Sequence, residues 1–285
     1  MSRRPKWWLD VLRFYWPLNT LSAKMTRWPM VGPLLSRVVI PLFTKDNFNI
    51  SYIPINAHIE PVVSSALCGK ILDELVRRSS HRVIIGRCSC RDSKKCSNFP
   101  IEDSCLLLGE DTRVVDSRIA KHVSVDEALL HVRKKTAAGL IPMIGRVRMD
   151  DFFYGIPNRG RMLTICFCCP CCCSVLSALQ YLPEEAKSSL VRLKNVDVIV
   201  DAKKCIQCCS CMNACFAKAI TLSGGAIQRD EHKCISCGRC SMVCLQQATS
   251  IIVENIDVTV DEILGRIKQR VNVESGENNG LRDGP

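Results

Sequence analysis

The sequence predicts an α+β protein built from two cysteine-rich units, and three observations predict it. Up to residue 195, helical runs with 3.6-type apolar spacing alternate irregularly with short β-type runs and loops, which reads as a mixed α and loop unit. From Val196 the composition changes to short strands and cysteine-laden turns. Twenty of the 285 residues are cysteine, and 47% are hydrophobic, enough for a core and two domains. A disulfide scaffold would be small and secreted, so a long chain of this kind uses cysteine to hold metal.

Residues 1–55 form a basic, aromatic, proline-punctuated arm with short helical runs such as WWLDVLRFYW. Net charge is +11, and residues 1–45 carry eight Lys or Arg against one acid. All four tryptophans, Trp7, Trp8, Trp16 and Trp28, lie there. Aromatic rings mixed with cations suit a membrane surface or a partner subunit, with packing on the chain's own core ranked third. No recognition helix or zinc finger accompanies the arm, which argues against nucleic acid. The longest apolar stretch, MVGPLLSRVVIPLF, is too short to span a bilayer, and no secretory signal opens the chain. The expected location is a reducing cytoplasm, peripheral on the inner face of the membrane at most.

Residues 56–195 follow as a cysteine-rich domain. A helix starts at Pro61 and ends near Arg77 and Arg78, whose charges suit its C-terminal dipole. HRVIIG reads as a short buried strand delivering the chain to CSCRDSKKC. Ser124 and Glu127 make a capping box for a helix that stops at Gly139. Pro142, Gly145, Gly155, Pro157 and Gly160 mark 140–163 as loop-like. VLSALQYL reads as helix, and another helix is expected over 184–194. A boundary near 195 opens residues 196–256. In 257–285, Thr259 and Glu262 cap a last amphipathic helix before a disordered tail. Cys68 falls on a helical apolar pattern and reads as core, and the five histidines show no paired metal spacing.

Cys205, Cys208, Cys211 and Cys215 follow the spacing C-x2-C-x2-C-x3-C, and Cys234, Cys237, Cys240 and Cys244 repeat it. Three cysteines at i, i+3 and i+6 in a tight turn present three thiolates to one cubane, and the fourth points to a second. The stretch 198–254 resembles bacterial-type ferredoxins with two [4Fe–4S] clusters. That resemblance implies a ferredoxin-like fold, one cluster on Cys205, Cys208, Cys211 and Cys244, and another on Cys234, Cys237, Cys240 and Cys215. Phe216 and Leu245 stand where such ferredoxins carry proline; being apolar, they are expected to exclude water. The spare thiol, Cys209, reads as a small buried residue beside the cluster.

Ten further cysteines form two groups: Cys88, Cys90, Cys96 and Cys105, and the run Cys166, Cys168, Cys169, Cys171, Cys172 and Cys173. A CxCR segment followed by ICxCCxCCC resembles iron–sulfur proteins of anaerobes in which a cysteine-rich domain precedes a two-cluster ferredoxin domain. The likeness departs at Pro142 and Phe167, where His and Asn are common. Ten thiols suffice for one or two more [4Fe–4S] clusters. Two partitions stay open: one cluster per group, or groups that share a site. Zinc competes for the 88–105 group. Arg87, Arg91, Lys94 and Lys95 either offset cluster charge or are ordinary solvated cations.

The functional expectation is an electron-transfer subunit passing single electrons between redox partners, a flavoprotein or dehydrogenase at one end and a membrane- or quinone-linked partner at the other. The rival is a reductase whose N-terminal cluster acts on substrate. The chain has no radical-enzyme C-x3-C-x2-C triplet, dinucleotide fingerprint or phosphate loop.

Overall fold

A computed structural model describes residues 4–42, 48–55, 66–179, 181–183, 186 and 189–274. The fold is α+β. Its centre is a six-stranded antiparallel sheet that sequence periodicity does not reveal. The strands are β1 (Phe48–Tyr52), β2 (Arg82–Ile85), β3 (Leu106–Leu108), β4 (Ala120–His122), β5 (Ile141–Val147) and β6 (Leu163–Cys168), in the order β1-β5-β6-β3-β2-β4. The predicted HRVIIG strand is β2. One central strand, β5, comes from the segment expected to be loop. Its proline and glycine are strand-compatible for specific reasons. Pro142 pairs with Phe167 of β6, and its carbonyl still accepts from Ile53 N–H at 2.9 Å, so the residue keeps a backbone bond despite its missing N–H. Gly145 lies so close to β1 that a Cβ there would sit 1.9 Å from the Asn49 carbonyl oxygen. Both residues read as breakers locally, yet here they permit close pairing.

The arm is longer in helix than expected: α1 (Trp8–Met25) holds 18 residues with Pro17 inside, and α2 (Gly32–Leu42) follows. One face of α1 lies on the chain's own body. Leu9 and Leu12 are buried, and Trp8 Nε1 donates to the Phe153 carbonyl at 2.6 Å. The own-core reading thus describes Trp8 and Trp16. The opposite stripe, Trp7, Val11, Phe14, Leu18 and Leu21, is exposed, Phe14 at 86%. Among the described residues, no helix is long and apolar enough to cross a membrane.

The next helix, α3 (Ala66–Arg78), buries Cys68, as expected; burial pushes its thiol up to about 12. The predicted start of that helix at Pro61 lies outside the described residues. A short α4 (Ser89–Ser93) follows β2, and α5 (Val125–Ala137) carries the full capping box between Ser124 and Glu127. The remaining N-terminal helices are α6 (Arg148–Tyr154) and α7 (Ser174–Leu179). Residues 184, 185, 187 and 188 of the expected 184–194 helix lie outside the described residues. From Ser189 the chain is not helical; Leu190 bridges Ile50 instead, because the edge strand β1 leaves backbone groups to pair.

Beyond Asn195, β7 (Val196–Val200) pairs antiparallel with β10 (Thr249–Val253), and β8 (Ile220–Ser223) pairs with β9 (Ala226–Arg229). Two short helices, α8 (Ser210–Ala214) and α9 (Arg239–Met242), hold the cysteine motifs. The last helix, α10 (Ile256–Lys268), begins earlier than expected. Asn255, not Thr259, is its cap: the Asn255 side chain accepts from Val258 N–H at 3.1 Å. Thr259 is inside and buried, its hydroxyl donating back to the Asn255 carbonyl at 2.8 Å. Hydrophobic packing is continuous across residue 195, joining Ile50 and Ile53 to Val196, Val198 and Ile251.

Candidate metal centres

The doubled motif folds as a doubled structure. Gln207 and Ser236, Cys209 and Gly238, and Lys218 and Gln247 occupy equivalent places in the two repeats, and all six have left-handed backbone, φ between 49° and 81°. Non-glycine residues adopt that region rarely, so five of them at matched positions show a backbone shaped by something other than local preference. Alternating right- and left-handed residues aim successive N–H groups inward, the arrangement that receives anions. The last cysteine of each motif accepts a backbone N–H: Ala219 to Cys215 Sγ at 3.3 Å, and Ala248 to Cys244 Sγ at 3.2 Å.

Cys205, Cys208, Cys211 and Cys244 line one small cavity, with Cys209 on its wall. The thiols of Cys234, Cys237, Cys240 and Cys215 form the other neighbourhood. Burial first, then the nearby Cys240, Cys215 and Cys234 sulfurs, holds the Cys237 thiol high. The structure thus places Cys244 beside the first three cysteines of the first motif and Cys215 beside those of the second. Two expectations change. Cys209 is half-buried and occupies the left-handed position that the second repeat gives to glycine. Leu245 is 94% exposed and screens nothing, while Phe216 packs edge-to-face on Tyr52 at 6.4 Å.

In the N-terminal unit the two cysteine groups meet. Cys88 immediately precedes α4 and Cys90 lies in its first turn; Cys105 precedes β3. Cys166 and Cys168 are two apart on β6, so the strand period sends both to one face. With Cys169 and Cys173 they enclose an apolar cavity of about 90 Å³, with Trp16, Met149, Asp150 and Tyr154 among its walls. Cys105 and Cys166 Sγ are 3.0 Å apart, and Cys168 and Cys173 Sγ 3.6 Å. The simplest partition, one group per cluster, does not match this placement; the shared-site alternative does. Cys96 stands apart with Cys169, Cys171 and Cys172, whose sulfurs lie within 4.8 Å of one another.

Crowded thiols drive each other to ionise unequally. The Cys90 thiol is pulled down to about 6, first by a hydrogen bond from Cys88 and then by Ser174 and Trp16, whose Nε1 donates at 3.0 Å. Cys88 is raised correspondingly, first by that same bond. Burial lifts the Asp150 carboxyl to about 7, although Thr164 donates to it at 2.7 Å.

Arg91 is the residue whose weight sequence could not assign. It is 1% exposed, and Nη1 donates to the Phe167 carbonyl at 2.8 Å. Among the described residues its Nε and Nη2 have no hydrogen-bond partner, and the thiols that act on it most strongly are those of Cys88, Cys105, Cys169 and Cys168. A buried cation costs several kcal/mol unless it is paired, and neutral thiols do not pair it. Thiolates carrying metal would. The donor set and the unpaired guanidinium therefore fit an anionic metal–thiolate group in this cavity. The other flanking cations differ: Arg87 binds Asp10 and Asp92, and Lys94 and Lys95 are exposed.

Of the histidines, His131 donates to the Ser104 carbonyl at 3.0 Å and His81 meets His122 at 2.8 Å; His58 lies outside the described residues. No protein-family model matches the chain, and no curated protein matches it.

Proposed function

We propose that this protein transfers single electrons through iron–sulfur clusters: two [4Fe–4S] clusters on the doubled motif, and one more in the N-terminal cavity on cysteines from Cys88, Cys90, Cys105, Cys166, Cys168 and Cys173. The observation that carries the reading is Arg91, a buried cation with two donors unpaired among the described residues and with cysteine sulfurs as its strongest electrostatic neighbours. The bound clusters would supply the one-electron redox level. The chain's own residues supply thiolates, backbone N–H donors and an apolar enclosure, and these set how readily an added electron is accommodated. Redox proteins are the partners this chemistry serves, a flavoprotein or dehydrogenase among them.

A second reading is a reductase acting at the N-terminal centre. The cavity favours it, since Asp150 and Tyr154 bring proton-bearing groups to the lining that the sulfurs share. Stepwise reduction of oxygen-free protein followed by EPR separates the two. Relay predicts signals from both units, the N-terminal one absent in Cys105→Ser, and spectra indifferent to added small disulfides. A spectrum that changes with such a disulfide would favour the reductase, and a protein with no reducible centre would end both readings.

A further inference from the structure

We propose that Cys96, Cys169, Cys171 and Cys172 form a separate site for a single tetrahedrally coordinated metal ion of the zinc class. The evidence is the separation of the sulfurs. Cys171 Sγ lies 3.6 Å from Cys96 Sγ, 3.7 Å from Cys169 Sγ and 3.5 Å from Cys172 Sγ. A zinc ion bonds sulfur at about 2.3 Å, so the edges of its tetrahedron measure about 3.8 Å. A cubane holds one ligand sulfur outside each of four irons and spreads them much farther. The eight cysteines of the doubled motif make the contrast within the same chain. Among the described residues, no other group of three or more potential ligands closes to within 4.8 Å.

The local structure explains how neighbouring cysteines can converge. β6 ends at Cys168, and Pro170 turns the chain so that Cys169, Cys171 and Cys172 fall on a tight turn, not an extended strand. The fourth sulfur arrives from another segment. After α4, Lys95 adopts φ +48° and folds the chain back, and Cys96 N–H donates to the Arg91 carbonyl at 2.9 Å. The donor set is all sulfur with no carboxylate or imidazole, which selects a soft, closed site of the structural zinc kind. Cys169 and Cys172 are buried and Cys171 is exposed, so the ion would sit at the rim of the larger cavity.

The position gives the site a job. α4 carries Cys88, Cys90 and Arg91, and the turn after β6 leads to Cys173. One ion bonded to Cys96 and to the 169–172 turn cross-links the two walls of the electron-carrying cavity. It also accounts for the surplus of thiols: six remain for the cluster. This assignment is independent of what fills the cavity.

The test uses full-length protein purified without oxygen, with zinc and iron counted per chain. Wild type is expected to carry one zinc, and Cys171→Ser and Cys96→Ser to lose it while iron stays constant. Zinc-edge X-ray absorption of unmutated protein should show four sulfurs at about 2.3 Å. A fall of three or four irons in Cys171→Ser would place a cluster here and overturn the proposal. So would the loss of a single iron in place of zinc, zinc unchanged by the variants, or oxygen and nitrogen in the zinc shell. If the protein held zinc but no iron, the electron-transfer reading would fail and this site would stand.

Discussion

Replacing Arg91 by methionine is expected to lower the midpoint potential of the N-terminal centre by about 130 mV and to leave the two C-terminal centres unchanged. The side chain is fully buried, and the sulfurs of Cys88, Cys105, Cys169 and Cys168 are its strongest electrostatic neighbours. At an effective dielectric of about 20, a unit charge at about 5 Å is worth about 3 kcal/mol. For a one-electron couple that corresponds to about 130 mV. The sign follows from charge: the cation favours the reduced, more negative state, so its removal makes reduction harder. Methionine keeps the length and apolar stem, which separates lost charge from lost packing. Arg91→Lys should retain most of the potential, because the charge stays even though the fork is lost. EPR-monitored titration of the three proteins checks this. An unchanged potential in Arg91→Met would mean that the guanidinium does not face an anionic centre.

The second large effect is on stability. Gly145→Ala should destabilise the protein by about 3 kcal/mol or more, at or beyond the upper end of ordinary overpacking. The new Cβ would stand 1.9 Å from the Asn49 carbonyl oxygen and 2.7 Å from Ile50 Cα. These are backbone atoms of the paired strand, so no side chain can swing away. β1 would have to leave β5. The site would suffer with it, since Tyr52 on β1 reaches Cys173 Sγ at 3.7 Å and Met143 on β5 lines the cavity. Denaturant unfolding of matched oxygen-free samples measures the loss. A midpoint equal to that of wild type would contradict the β1–β5 register.

What sequence revealed and what it concealed have a common physical cause. The doubled motif was legible because its ligand geometry is local: cysteines three apart in a turn must face one another wherever the turn is placed. The capping box at Ser124 was legible for the same reason. The six-stranded sheet was not, because its central strands are short, buried on both faces and interrupted by Pro142 and Gly145, so neither alternation nor length marks them. The last helix misled through a competing cap, Asn255 lying one turn before Thr259. The partition of the ten N-terminal cysteines depended on three things that spacing does not encode. These are the face of β6 on which Cys166 and Cys168 fall, the turn at Pro170, and the return of Cys96 after α4. In sequence, Arg91 is one of four flanking cations that either offset cluster charge or are solvated, and only tertiary burial distinguishes it. Trp16 belongs to an arm for which packing on the chain's own core ranks behind a membrane or partner surface, yet it donates to a cysteine of the cavity.

The central claim is that these sulfurs enclose iron–sulfide cages in both units. The most direct test is the iron and acid-labile sulfide content of full-length protein prepared without oxygen, beside that of Cys105→Ser. Three clusters of four irons predict about 12 irons with equimolar sulfide in the unmutated chain, falling by about four in the variant. Colourless protein without labile sulfide, its cysteines open to alkylation, would contradict the account.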